Sequence, residues 1–164
     1  YEMLRSLVGS EMCIRDSCYE MGIGVEENET EAFKYYTLAA DNGNVTSMYR
    51  TGLCYYNGVG VKQNYAEAYR WFTDAAGNEN IGAAYYLGKM QMYGEGCTPD
   101  PEAAVQWLLK AAEKNNDKAQ FELGNAYLTG NGVEENDDVA MEWFEKAAEN
   151  GNEKALKITG RRRK

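Results

Sequence analysis

The chain has 164 residues, with 26 Asp and Glu against 17 Lys and Arg, a formal net charge of −9, and no histidine. Without histidine it lacks the commonest general base, metal ligand and triad member, and its acidic balance opposes binding to a phosphate backbone, which needs Lys and Arg to neutralise the phosphates. No stretch approaches the roughly 20 apolar residues of a membrane helix, and only two prolines, Pro99 and Pro101, interrupt a composition suited to helices.

The first seventeen residues, YEMLRSLVGSEMCIRDS, follow none of the spacing that governs the rest. From Cys18 onward the chain repeats itself every 36 residues, at Gly52, Gly88, Gly124 and Gly160; at Gly58, Gly94 and Gly130; and at Gly60, Gly96 and Gly132. The two loop columns reach back to Gly22 and Gly24, and parallel columns hold Ala32, Ala68, Ala104 and Ala140, and Tyr35, Trp71, Trp107 and Trp143. Register holds where Cys18 and Tyr19 stand against Cys54 and Tyr55, then fails, because the residues one step before Gly52 and Thr51 are Asp16 and Arg15. LVGSEMCIRD resembles the translation of a transposase mosaic-end sequencing adapter, and YEM resembles read-through of its flow-cell end. Residues 1–17 are therefore expected to be non-native, leaving the true N-terminus, any signal peptide and any upstream repeat unread. Residues 18–160 then make four units, the first incomplete, carrying −12 net, and residues 161–164 are a solvated basic tail.

Each unit reads as two helices. In KAQFELGNAYLTG the apolar Leu123 and Tyr127 stand four residues apart and Phe121 and Leu128 seven, the helical period. NGVEEN and its equivalents are turns, since paired glycines supply backbone freedom other residues lack. The second helix of each unit is predicted to start after Asn28, Asn64, Asp100 and Asn136, whose side chains can accept from a free amide of the first turn. Glu31 and Glu67 stand where a capping-box partner would, and Pro101 falls at the first helical position. These helices end in DNGN, GNEN, KNND and ENGN, with Gly43 and Gly151 as left-handed caps. Glycine inside a helix costs roughly 1 kcal/mol relative to alanine, so Gly52, Gly88 and Gly124 imply close approach of a neighbouring helix. The pairs Ala39-Ala40, Ala75-Ala76, Ala111-Ala112 and Ala147-Ala148 are expected to face them, with Trp71, Trp107 and Trp143 filling the gaps between units.

The combined pattern, shown almost in full by KAQFELGNAYLTGNGVEENDDVAMEWFEKAAENGN, resembles the Sel-one-like repeat (SLR) family of the tetratricopeptide-repeat superfamily. Departures are Gln91 in place of Tyr, Cys97 in place of Val, and Tyr35-Tyr36 in place of Trp-Phe. The resemblance implies an all-α fold, a right-handed α/α superhelix (solenoid) of helix-turn-helix repeats. It also implies a concave face, lined by the first helix of each unit, that holds a partner protein or peptide. Carried over unit by unit, the groove positions are Tyr49, Leu53 and Tyr56; Tyr85, Lys89 and Met92; and Phe121, Asn125 and Leu128.

The GVGV-type loops lack the third glycine and the preceding strand of a phosphate fingerprint, and Glu26-Glu27 and Glu134-Glu135 read as solvated surface. No catalytic residue, cofactor, metal, nucleic-acid partner or membrane insertion is expected. Cys18 and Cys54 occupy successive repeats whose backbones should lie about 10 Å apart, beyond disulfide reach; with Cys97 alone in a loop, the thiols suit a reducing, cytoplasmic compartment. The expected function is a non-catalytic scaffold or adaptor. The alternative, an enzyme-like role on cell-wall-type or β-lactam ligands, is associated with relatives that carry a pair of cysteines in each repeat, whereas this chain has at most one.

Overall fold

The computed structural model of the protein describes residues 29–160. The expectations for residues 1–17, for Cys18, Gly22, Gly24, Glu26-Glu27 and Asn28, and for the tail at 161–164 lie outside the described residues. Among the described residues there are eight helices and no strand: α1 (Glu29–Asp41), α2 (Val45–Asn57), α3 (Tyr65–Gly77), α4 (Ile81–Tyr93), α5 (Pro101–Ala112), α6 (Asp117–Thr129), α7 (Asp137–Glu149) and α8 (Glu153–Thr159). The odd-numbered helices begin at residues 29, 65, 101 and 137 and the even-numbered at 45, 81, 117 and 153, so both series advance by the predicted 36. The helices form two compact units. In the first, which ends at Asn78, α1 packs on α2 and α2 on α3. In the second, which begins at Glu79, α4 through α8 each pack on the next, and α4 also meets α6.

The termini follow from side chains that satisfy amides left unpaired by the helix. Asn64, Asp100 and Asn136 cap α3, α5 and α7, accepting from the backbone N–H of Glu67, Ala103 and Val139 at 3.2, 3.0 and 3.0 Å. The reciprocal arm of the capping box does not form at Glu67, because its carboxylate turns to Arg70 at 3.1 Å. The even-numbered helices carry a second set of caps that the sequence reading missed: Asn44, Asn80, Asn116 and Asn152, again 36 apart. Gly43 and Gly151 hold positive φ as expected, and Glu79 and Asn115 adopt the same backbone at the intervening positions of that column.

Packing within a helix pair centres on the helical glycines. A Cβ placed on Gly52 would come within 2.6 Å of Phe72 Cε1, on Gly88 within 2.9 Å of Leu108 Cγ, and on Gly124 within 2.5 Å of Phe144 Cε1. The side chain filling each notch is thus the residue after the tryptophan column, where the alanines were expected. Those alanines are buried all the same, beside the notch. With the deep position taken by its neighbour, the tryptophan lies to the side. Trp71 is buried, but Trp107 and Trp143 are only half-buried, their rings covered by Lys110 Nζ at 4.1 Å and Lys146 Nζ at 4.2 Å from the ring centres.

The loops after α2 and α6 reach past their own repeat. Gly60 lies directly against the backbone carbonyl of Glu29, the first residue of α1, and Gly132 against that of Pro101, the first of α5; a side chain at either would collide with that carbonyl.

The notch predicts opposite outcomes for one chemical change. Gly124→Ala gains about 1 kcal/mol of helix propensity but overpacks Phe144, a cost of about 1–3 kcal/mol, so denaturant melts should show a net loss. Gly77→Ala, in α3 with nothing within 4 Å of the added carbon, should stabilise by up to about 1 kcal/mol. An increase for both would mean that the notch tolerates a methyl group.

Thr51 supplies a second test. It stands in the column of Leu87 and Leu123, fully buried, with its hydroxyl lacking a hydrogen-bond partner. Thr51→Val keeps the shape, removes the unsatisfied group, and should raise stability by about 1 kcal/mol or more; an unchanged melting midpoint would show that the hydroxyl is solvated.

Candidate functional site

The residues expected to line a binding face separate by burial. On α2, Tyr49, Leu53 and Tyr56 are half-buried. The rings of Tyr49 and Tyr56 lie 6.0 and 6.3 Å from that of Phe72, the side chain that fills the Gly52 notch. Tyr56 also meets Tyr65 edge-on at 5.2 Å, and Gln63 Nε2 donates to the Tyr56 carbonyl at 2.8 Å and to the Tyr65 hydroxyl at 3.1 Å. This stripe therefore supports the pair α2–α3 and shows only its edges to solvent.

On α4 the expectation needs correction at two of three positions. Tyr85 and Met92, placed on the partner-facing surface by the resemblance, are 9% and 7% exposed. They share one side of α4, opposite the buried Leu87 and Met90, so the helix is covered on both sides, and Met92 Sδ further accepts from Asn131 Nδ2 at 3.1 Å. Their contribution is packing. Lys89 is half-buried. On α6, Phe121 is half-buried, its ring 5.4 Å from Phe144 and 5.7 Å from Lys154 Nζ. Asn125 is half-buried and its carbonyl accepts from the Thr129 hydroxyl at 2.8 Å, while Leu128 is 46% exposed.

The sequence reading missed the contact that joins α4 and α6 at the surface. Tyr93, 55% exposed at the end of α4, donates its hydroxyl to Glu122 Oε2 at 2.9 Å. Tyr93 lies one turn from Lys89 on α4, and Glu122 three residues from Asn125 on α6, so the four share neighbouring stripes of two touching helices. A signal was present in the sequence, since Tyr93 occupies the column of Asn57 and Thr129 and is its one aromatic. Partial burial, then the charge and hydrogen bond of Glu122, push the Tyr93 phenol up to about 12. In the following loop, burial and then Glu95 raise the Cys97 thiol, whose Sγ lies 3.5 Å from the Met90 carbonyl. Among the described residues no three carboxylate or thiol groups gather where a metal ion would sit, and no helix is long and apolar enough to cross a membrane.

With this geometry in place, the chain was compared with known proteins. The family model of the Sel1 repeat matches residues 10–44, 45–79, 81–116 and 117–152. Among solved structures, a Sel1 repeat protein from Oxalobacter formigenes is 31% identical with a TM-score of 0.86, covering 93% of this chain and 62% of its own. The protein c5321, a protective antigen present in uropathogenic Escherichia coli strains displaying an SLR fold, is 33% identical with a TM-score of 0.88, covering 97% of this chain and 34% of its own. This chain thus spans less than two thirds of the length of either. Helicobacter pylori cysteine rich protein B, 24% identical over 84% of this chain and 98% of its own, shares the fold with a TM-score of 0.62. No curated protein matches the chain. The expected all-α solenoid class of helix-turn-helix repeats is the class of these structures.

The Tyr93 bond has a pH signature. A tyrosine whose folded pKa, about 12, exceeds its ordinary value of 10.0 contributes stability that is fully present below pH 10 and is lost as pH rises through 12. The stability difference between the wild type and Tyr93→Phe should therefore be constant below pH 10 and shrink between pH 10 and 12. Of the 13 tyrosines, the one removed should be among the last to ionise in an ultraviolet phenolate titration. A variant that loses an early-ionising tyrosine would show that the bond to Glu122 does not persist in solution.

Proposed function

Because the chain belongs to the Sel1 repeat family, whose members generally serve as scaffolds for protein interactions, we propose that it is a non-catalytic scaffold or adaptor whose second unit holds a partner protein or peptide along the surface of α4 and α6. The observation that carries this reading is the exposure of two large side chains, Tyr93 and Leu128, on helices of the series that the family uses for recognition. Lys89 and Asn125 supply polar groups beside them, and anchors of this kind, an aromatic or aliphatic side chain rimmed by polar ones, carry most of the energy of protein interfaces. Tyr85, Met92 and Phe121 act beneath that surface by fixing the helices. In the first unit, the exposed edges of Tyr49, Leu53 and Tyr56 form a separate patch of the same series. The alternative role on cell-wall-type ligands rests on cysteine pairs within a repeat, and Cys54 and Cys97 are separate free thiols.

The test is a selection of peptides from a random library displayed on phage, with the wild-type chain as bait. Binding of the enriched peptides should fall on the order of tenfold or more in Tyr93→Ala/Leu128→Ala. It should hold in Gln106→Ala/Met141→Ala, exposed positions of α5 and α7. Both variants should stay helical, with each surface position changing stability by no more than about 0.5–1 kcal/mol. Enriched peptides that bind the first variant undiminished and lose the second would place recognition on the odd-numbered helices.

A further inference from the structure

The bond between Tyr93 and Glu122 makes a surface group with a chemistry of its own. Donation of the phenol hydrogen to Oε2 fixes the carboxylate and the ring beside each other. That leaves Oε1 as an acceptor and the face of an exposed aromatic ring next to a full negative charge. An exposed ring face attracts a cation through its quadrupole, and a carboxylate forms its strongest hydrogen bonds with a charged donor. Glu95, two residues beyond Tyr93, adds a second carboxylate whose charge is felt at the phenol. Residues 79–160 carry fifteen Asp and Glu against seven Lys, and three of those lysines, Lys110, Lys146 and Lys154, are drawn over the rings of Trp107, Trp143 and Phe121. The unit is therefore negative overall, with Lys89 one turn from Tyr93 and Lys118 one turn from Glu122 as the lysines nearest the pair along those helices.

We propose that the segment held on this surface is positively charged, with an arginine or lysine side chain seated against the Tyr93 ring and the Glu122 carboxylate. This deepens the proposed function and rests on it. Because the Tyr93 hydroxyl already positions the carboxylate, the cation docks without having to order it, which favours affinity. The surrounding negative charge steers a basic segment toward the site and disfavours an acidic one.

The phage selection described above decides the matter when the enriched peptides are read for charge and retested on Glu122→Gln. That variant keeps an oxygen to accept from Tyr93 and removes the charge together with the second acceptor oxygen. The expected result is a set enriched in Arg and Lys, bound about fivefold or more weakly by Glu122→Gln, weakened by added salt, with the melting transition of the variant unchanged. Enriched peptides that are neutral or acidic but still depend on Tyr93 and Leu128 would overturn this inference and leave the binding surface standing. Basic peptides that bind Glu122→Gln as well as the wild type would also overturn it, since the cation would then sit elsewhere. Failure to enrich any peptide dependent on Tyr93 and Leu128 would remove the proposed surface and this inference together.

Discussion

Each helix pair depends on one contact, a buried side chain set against a glycine that has no side chain to hold it away. Phe72 on Gly52, Leu108 on Gly88 and Phe144 on Gly124 fix how closely α3 approaches α2, α5 approaches α4, and α7 approaches α6. The glycine weakens its own helix in isolation, so the helix is stable only with its partner in place. That dependence accounts for the alanine columns around the notch, where larger side chains would hold the backbones apart. It also accounts for the side-on tryptophans, which cover the seam while a lysine of the same helix covers two of them.

The parts of this arrangement legible in the sequence were those set by local spacing. The 36-residue step fixed the helix starts, and the side chains of Asn64, Asp100 and Asn136 announced their caps because a capping side chain acts only three residues along the chain. The caps at Asn44, Asn80, Asn116 and Asn152 obey the same rule but stand in the turns DNGN, GNEN, KNND and ENGN, which the sequence reading used only as the ends of the preceding helices. The notch was misassigned to the alanines because Ala75 and Ala76 stand three and four residues from Phe72 on one face of α3, and only the position of α3 along α2 decides which of them meets Gly52.

Much less of the candidate surface was legible. Whether Tyr85 or Tyr86, or Met92 or Tyr93, faces solvent turns on about 100° of helix rotation, and a family correspondence fixes that angle only as well as the helices superpose. The Tyr93–Glu122 bond spans 29 residues and joins two repeats. No pattern within one repeat encodes it, although the departure of Tyr93 from its column marked the spot. The buried hydroxyl of Thr51, where the next two even-numbered helices carry Leu87 and Leu123, is a similar departure with a different meaning, a polar group kept where packing alone would place an apolar one.

Gly60 and Gly132 each rest on the first carbonyl of an odd-numbered helix in the repeat before, Glu29 in one case and Pro101 in the other. The joint is therefore split, with its glycine contributed by one repeat and its carbonyl by the preceding one, and every internal repeat can carry both halves. An in-frame duplication of one whole 36-residue period regenerates such a joint at each new boundary without any new surface having to arise by point mutation. A deletion of the same length heals in the same way, whereas one that is not a whole number of periods leaves an unmatched half. Lengthening and shortening of the gene by unequal recombination is thus the evolutionary change this architecture tolerates most readily, and repeat number is free to vary among relatives while the geometry of each joint stays constant.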